Sequence, residues 1–363
     1  MKIYANNFVN QLYSLIEISQ QKTNAQVGTS LGALLKVWLL MLTPLLGIAQ
    51  VEEDSLKQKV NRAIQAEFPR TRNFNLEYDH SFSRDFESEF ADEDFTEGAI
   101  VNQQSVNFTA NISVFSKNKW QVLAFGNYQH FQFEFQDLVS MSDNYPIAFS
   151  SNTRDYNYYS VGVSSTYYSS LFNKPFIYVG RLIADGSNKG FERIKGFVSG
   201  SIVLKRNAQT TITLGLLAVL DPSAQIPFSP LFSYFHKFKN SKWELDVILP
   251  QRILMKRPIG AKSRLSLGGT FGADAFYVNS DYTYLPDTYS YSQLKVDTGI
   301  IYEYQVAKNV ITTFKGGIRN YISNRLTEKT TQTEDYIYRN DQDVTGYFNI
   351  GVSFNPFPIH VGQ

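Results

Sequence analysis

The sequence predicts an all-β fold: an antiparallel transmembrane β-barrel of about 14 strands, with 12 as the alternative count. The segment Gln104–Gln136 alternates apolar and polar residues on both sides of a polar turn at 116–119, which is the pattern of a β-hairpin. Charged residues make up 18% of the chain and aromatic residues 15%, whereas soluble domains carry about 25% charged residues. Long two-faced strands with few charges suit a protein that has lipid on one side.

The first 71 residues are predicted to precede the barrel. Residues 31–49 hold a lysine, an apolar core and small residues before Gln50, the pattern of a cleaved secretory signal peptide; a buried or spanning helix is the alternative. Residues 1–30 fit neither part of a signal, and we interpret them as an extension from a start site placed too far upstream. Residues 50–71 are predicted to be a periplasmic lead-in or a small plug with a short amphipathic helix. No later segment is apolar enough for a spanning helix, which leaves the barrel as the membrane-spanning structure.

The barrel is predicted to occupy residues 72–356, followed by a C-terminal tail at 357–363. Short turns alternate with longer connections, as in outer-membrane barrels with periplasmic turns and extracellular loops. The longer connections are 85–103, 137–153, 185–193, 221–230, 279–290 and 322–343. The predicted strands are Arg72–Arg84, the two arms of Gln104–Gln136, Arg154–Ser170, Pro175–Ala184, Ile194–Lys205, Thr210–Leu220, Leu231–Phe238, Trp243–Leu249, Arg252–Arg257, Arg264–Val278, Tyr291–Gln305, Val310–Tyr321 and Val344–Asn355.

The strand count depends on Pro250. Taken as one strand, residues 243–257 give an odd total, which a barrel that starts and ends in the periplasm does not allow. Proline lacks the amide hydrogen that a sheet ladder needs, so we place a turn at Pro250 and count fourteen.

The apolar face of each strand is predicted to contact lipid. On the first hairpin, this assigns Phe108, Ile112, Phe125 and Phe133 to lipid, and it keeps Asn107, Asn111 and His130 away from lipid. Charges inside a membrane-spanning segment usually face a wet or paired interior. The candidate lumen-lining residues are therefore the charges on the opposite face: Arg181, Glu244, Asp246, Arg264, Asp274, Lys295, Asp297, Glu303, Lys315 and Arg319. They form either a pore lining that selects solutes or an ion-pair network that fills and stiffens the lumen.

Other chemistry finds little support in the sequence. The seven carboxylates of Asp85–Glu97 match no defined calcium loop, so a solvated surface loop is favoured. The tyrosines of Asn279–Tyr291 are interpreted as part of an aromatic girdle. The chain has no cysteine and only four histidines, and it lacks a nucleophile elbow, a zinc-protease motif and a phosphate-binding loop. We expect no enzymatic activity and no cofactor.

Residues 246–258, DVILPQRILMKRP, precede the glycine-rich segment LSLGGTFGADAFYV at 265–278. The pair resembles a family of uncharacterised bacterial outer-membrane β-barrel proteins in which a Leu-Pro-x-Arg turn precedes a glycine-rich strand. The resemblance implies a porin-like or transporter-like barrel in the outer membrane of a Gram-negative bacterium. It supplies no catalytic residues.

The leading functional hypothesis is a channel or transporter for an unidentified small solute. The alternative is a structural or ligand-binding surface barrel with a closed lumen; a barrel-embedded lipase or protease is less favoured. The expected partners are outer-membrane lipids, the barrel assembly machinery and the solute. Nucleic acid is not expected, because the net charge is only +1 and no basic stripe occurs.

Overall fold

The computed structural model describes residues 72–142, 152–222, 224–279, 288–329, 331 and 335–356. The predicted N-terminal extension, signal peptide, lead-in and tail lie outside the described residues. The strands of the described part are β1 Phe74–Ser81, β2 Arg84–Phe90, β3 Glu93–Lys117, β4 Trp120–Ser140, β5 Thr153–Leu171, β6 Lys174–Ser187, β7 Gly190–Arg206, β8 Thr210–Leu220, β9 Phe228–Lys237, β10 Glu244–Leu249, β11 Arg252–Pro258, β12 Ser263–Asn279, β13 Thr288–Ala307, β14 Val310–Glu328, β15 Tyr336–Gln342 and β16 Thr345–Phe354. No helix in these ranges is long and apolar enough to cross a membrane.

The strands form one antiparallel sheet that closes on itself. The first strand, β1, pairs with β3 on one side and with the last strand, β16, on the other. The place where β1 meets β16 is the seam of the barrel. Strands β2 and β15 continue β1 and β16 beyond it and pair with each other. Only Phe82–Ser83 separate β1 from β2, and only Asp343–Val344 separate β15 from β16, so each pair makes one position in the wall. The closed barrel therefore has 14 wall strands, as predicted.

Tight polar turns join the strands at one end of the barrel, which we call the turn end. Phe172 and Asn173 both have positive φ, 53° and 58°, as a two-residue hairpin turn that follows the twist of its strands requires. At the opposite end, the loop end, a turn separates β10 from β11 after Leu249, and the Leu249–Pro250 peptide bond is cis. The predicted break at Pro250 is confirmed.

Three predicted loops are strands instead. Most of 85–103 belongs to β2 and β3, which are joined by a turn at Ala91–Asp92. The prediction of a solvated acidic loop in this segment was therefore wrong. Its carboxylates alternate with buried residues such as Phe86 and Ser88, which is the two-residue period of a strand. Likewise, β6 and β7 extend through most of 185–193, and β14 and β15 occupy most of 322–343.

The outer surface of the barrel is apolar. Ile112, Val161 and Ile318 expose 44%, 61% and 58% of their surface, although a soluble protein would bury most side chains of this type. Such a surface suits the hydrocarbon of a bilayer. The predicted outward direction of Phe108 and Ile112 is confirmed by their exposure.

The predicted faces of the second hairpin arm, β4, were wrong. Phe125 and Phe133 are buried inside the barrel, and His130 lies on the outer face, where it contacts Asn157 at 2.9 Å. The prediction took apolar side chains as a mark of the lipid face. It failed because the interior beside β4 is itself filled with aromatic rings.

The wall is low on one side. Strands β10 and β11 have 6 and 7 residues, whereas β12 and β13 have 17 and 20. At a rise of about 3.3 Å per residue and a tilt of about 40°, the two short strands are only about 15–18 Å high. The pairing of β12 with β11 ends at Thr270, so the rest of β12 continues toward the loop end without this neighbour.

Candidate functional site: the barrel interior

The loop ends of β12 and β13 lean into the barrel. A wall strand buries alternate residues, but here the consecutive residues Phe276 and Tyr277 are both buried, as are Tyr289, Ser290 and Tyr291. Both faces of these strand ends are therefore covered by protein. We call residues 271–279 and 288–292 the leaning hairpin. Its position follows from the low wall, because β11 does not reach high enough to pair with it.

Aromatic rings join the leaning hairpin to the opposite wall. The ring of Phe276 lies 4.4 Å from Tyr156 on β5 and 4.9 Å from Phe131 on β4, centre to centre. Strand β12 is separated from β4 and β5 by several strands in either direction around the ring. These contacts therefore cross the interior. They belong to a buried cluster that also includes Phe86, Ile100, Phe133 and Tyr291.

Asp185 forms a polar centre beside the aromatic cluster. The Tyr277 hydroxyl donates to one carboxylate oxygen of Asp185 at 2.8 Å, and the Tyr158 hydroxyl donates to the other at 3.0 Å. The Lys195 ammonium lies 2.6 Å from the same carboxylate. Asp185 is only 3% exposed, and a buried carboxylate needs such partners to stay charged. It therefore links β12 to β5, β6 and β7 across the interior.

Further polar contacts cross the interior near Asp185, at the loop end of the barrel. Lys329, just after β14, forms an ion pair with Glu192 on β7 at 2.7 Å. Arg193 donates to the Ser290 hydroxyl at 3.2 Å. Gln225, in the β8–β9 connection, donates to the backbone oxygen of Ser292 at 3.0 Å. The leaning hairpin thus contacts the opposite wall and the β8–β9 connection, and the interior is filled at the loop end.

Toward the turn end, the interior carries paired charges. Arg319 is 1% exposed and donates to both oxygens of Asp297, at 2.7 and 2.9 Å. It also donates to both oxygens of Asp79, at 2.6 and 3.1 Å. Two-fold contact of this type is the strongest arrangement of an arginine with carboxylates. Strands β14, β13 and β1 are tied together by this one side chain.

The other predicted lumen residues also have charged partners, with one exception. Glu303 accepts from Arg264 at 2.6 Å and from Arg72 at 2.7 Å. Lys295 pairs with Asp274, and Lys315 lies 3.3 Å from Glu77. Asp246 pairs with Arg252 and Lys256, and Glu244 lies 3.0 Å from the exposed Lys237 at the rim.

Arg181 is the exception. Its guanidinium carbon lies 3.6 Å from the centre of the Phe125 ring, in a cation–π arrangement. Its cross-strand neighbours are Ser164 and Phe197. Its Nε atom is buried and has no hydrogen-bond partner within the described ranges.

Several interior residues escaped the sequence prediction. Asp185, Glu192 and Arg193 were assigned to a loop, so their position on strands could not be seen. The tyrosines Tyr289 and Tyr291 are buried, so the girdle interpretation was wrong for them; Tyr282 and Tyr284 lie outside the described residues. Among the described side chains, no group of histidines and carboxylates is arranged to hold a metal ion.

Solved structures similar to this chain include three bacterial proteins. The transport unit of the autotransporter AIDA-I from Escherichia coli is 10% identical, with a TM-score of 0.30, over 84% of this chain and 100% of that chain. The COG4313 outer membrane channel from Pseudomonas putida F1 is 9% identical, with a TM-score of 0.33, over 85% and 100%. A Pseudomonas aeruginosa FadL homologue is 8% identical, with a TM-score of 0.26, over 79% and 91%. A search of curated proteins found no match.

One family model matches the chain over residues 149–355. This range is more than half of the sequence, and it includes the Leu-Pro-x-Arg turn and the glycine-rich strand β12. The predicted resemblance to a bacterial barrel family is confirmed: the chain belongs to the family described as Domain of unknown function (DUF6268).

Proposed function

We propose that this protein is an integral outer-membrane β-barrel of a Gram-negative bacterium that carries a small solute, and that the leaning hairpin is its gate. The observation that supports this most is the contrast between the two halves of the interior. Beneath the hairpin, the wall carries partly exposed ion pairs such as Lys315 with Glu77, whose side chains are 29% and 22% exposed. Charges of this kind suit a wet passage.

The gate is held by contacts that are reversible. The hydroxyls of Tyr277 and Tyr158 both donate to Asp185, and each hydrogen bond to a charged acceptor stabilises the closed arrangement by about 1.5–3 kcal/mol. Because about 1.4 kcal/mol is a tenfold change in an equilibrium, removing one bond shifts the balance toward the open state by about 10-fold or more.

The second candidate is a barrel that stays closed and serves at the cell surface. The buried aromatic cluster around Phe276 favours it, because breaking that packing exposes a large apolar area to water. The two candidates differ in one measurable property, which is ion conductance.

The experiment is a planar-bilayer recording of the purified protein. The variant Tyr158→Phe/Tyr277→Phe keeps both rings and removes both hydroxyls. Its control is Tyr128→Phe, because the Tyr128 hydroxyl donates to Asn157 on the outer face, at 2.8 Å. We expect rare openings from the wild type and the control, and at least about 10-fold more frequent openings from the double variant. A folded double variant without any current would exclude the gate and favour the closed barrel.

We infer the route to the membrane from the sequence. Residues 31–49 act as the export signal, and the barrel assembly machinery inserts the protein, with the alternating strand β16 as its recognition segment. N-terminal sequencing of the protein recovered from outer membranes tests the first part; a chain that starts before residue 31 would contradict it.

A further inference from the structure

On the interior wall, positively charged side chains outnumber the carboxylates that pair with them. Two carboxylates each serve two cations: Asp246 contacts Arg252 and Lys256, and Glu303 contacts Arg72 and Arg264. In the opposite sense, Arg319 alone serves two carboxylates. Two further arginines on the interior wall contact neutral groups.

The first of these is Arg84, whose side chain donates to the amide oxygens of Gln342, at 2.7 Å, and Gln103. It is 4% exposed, and its N–H donors are already hydrogen-bonded to neighbouring residues at the seam. Arg84 therefore has little capacity left for a ligand.

The second is Arg181, which differs in having donors to spare. A guanidinium has five N–H donors in one plane. The Phe125 ring covers the face of that plane, which leaves the N–H groups at its edge. No hydrogen bond or ion pair joins Arg181 to the rest of the described protein, and its Nε is shielded from solvent.

The location of Arg181 suits a ligand that enters from the turn end. It lies on β6 four residues before Asp185, on the same face of the strand and on the turn side of the closed gate. Its neighbours Ser164 and Phe197 carry no charge. Among the described residues, no carboxylate is placed to compete with a ligand for the guanidinium.

We propose that Arg181 is an oxyanion-binding residue of the interior, and that the solute of this barrel is a small anion bearing a carboxylate or phosphate group. The planar guanidinium fork binds both groups through two parallel hydrogen bonds. The Phe125 ring holds the fork in place, which lowers the entropy lost on binding. This inference names the solute class for the transport role proposed above and rests on it.

The test measures binding directly and needs no ion current. Inorganic phosphate is added to the folded protein in detergent, and the phosphorus NMR line width of phosphate is followed at constant ionic strength. We expect the wild type to broaden the line and the variant Arg181→Gln to bind at least about tenfold more weakly. Arg181→Lys keeps the charge and retains part of the broadening. Lys308→Gln removes an exposed cation of the β13–β14 turn and serves as the control; it broadens the line like the wild type.

Two outcomes would overturn the inference. One is a wild-type protein that leaves the phosphate line unchanged. The other is an Arg181→Gln variant that is folded and broadens the line as much as the wild type, which would make Arg181 a packing residue on Phe125. Either result leaves the conductance experiment intact, so failure of the anion site and failure of the gate are told apart.

Discussion

Arg319 offers the sharpest test of how the interior is held together. The substitution Arg319→Met removes the guanidinium but keeps a long side chain. It leaves Asp79 and Asp297 without the donor that contacts both oxygens of each. Removing one partner of a buried ion pair costs about 3–5 kcal/mol, mostly because the remaining charge stays buried and unpaired. We expect Arg319→Met to lower the free energy of unfolding by that amount.

A second variant separates this cause from simple loss of packing. In Asp79→Asn/Asp297→Asn/Arg319→Met, the buried charges are removed together, so the stranded-carboxylate penalty disappears. We expect this triple variant to regain at least about half of the loss, since a whole ion-pair group is often replaced at little cost. Arg319→Lys keeps the charge without the planar fork and should lie between the two.

The assay is unfolding by guanidinium chloride in phospholipid vesicles, followed by the fluorescence of Trp120 and Trp243. Interaction energies come from comparing the single and combined variants. If Arg319→Met is within about 1 kcal/mol of the wild type, the contacts around Arg319 behave as exposed ion pairs and our account of the interior is wrong. A triple variant no more stable than Arg319→Met would refute the stranded-charge explanation.

Three further predictions concern the wall and the aromatic cluster. Ile112→Arg places a charge in lipid and should lower the folded yield in a heat-modifiability gel by the equivalent of about 2–4 kcal/mol. Asn111→Arg places the charge on the interior face and should fold better, so equal yields of the two variants would contradict the assigned faces. Phe276→Ala should lower the free energy of unfolding by about 3–5 kcal/mol, because it leaves a cavity in the aromatic cluster. Phe228→Ala, at an exposed position, is its control, and equal effects of the two substitutions would argue against the leaning hairpin. Gly268→Ala should lower the free energy of unfolding by about 1–3 kcal/mol, because the φ of 144° disfavours a side chain and the new Cβ would lie 2.1 Å from the Ile253 backbone oxygen. Gly269→Ala should be tolerated, because its new Cβ would meet nothing closer than 3.7 Å. Thermal unfolding that ranks the two variants the other way would exclude this explanation.

The strand count was predictable because the features that set it are local. Pro250 cannot donate to a ladder, and the short polar turns that join the strands at the turn end are visible in the sequence. The faces of β3 were predictable for the same reason, since Ile112 alternates with Asn111. In both cases, one or two neighbouring residues carry the information.

The filled loop end was not predictable, because its cause lies between distant segments. Pro250 shortens β10 and β11, and this removes a neighbour from residues 271–279, which then pack against β4 and β5. Sequence alternation cannot distinguish an aromatic residue that faces lipid from one that faces an aromatic interior. Phe125 and Phe133 were therefore assigned to the wrong side. Arg181 was identified as a lumen candidate by its face, but its lack of a charged partner needed the structure.

The low wall at β10 and β11 has a consequence for the surrounding lipid. Its height of about 15–18 Å is smaller than the apolar band of about 25 Å that outer-membrane barrels present. A wall shorter than the hydrocarbon draws the two leaflets together or brings headgroups inward, at a fraction of a kcal/mol per ångström of mismatch. In the membrane proposed for this protein, we therefore expect the bilayer beside β10 and β11 to be thinned locally. The same low wall leaves the loop end of β12 without a β11 neighbour, so we expect bilayer thickness to influence the leaning hairpin from this side.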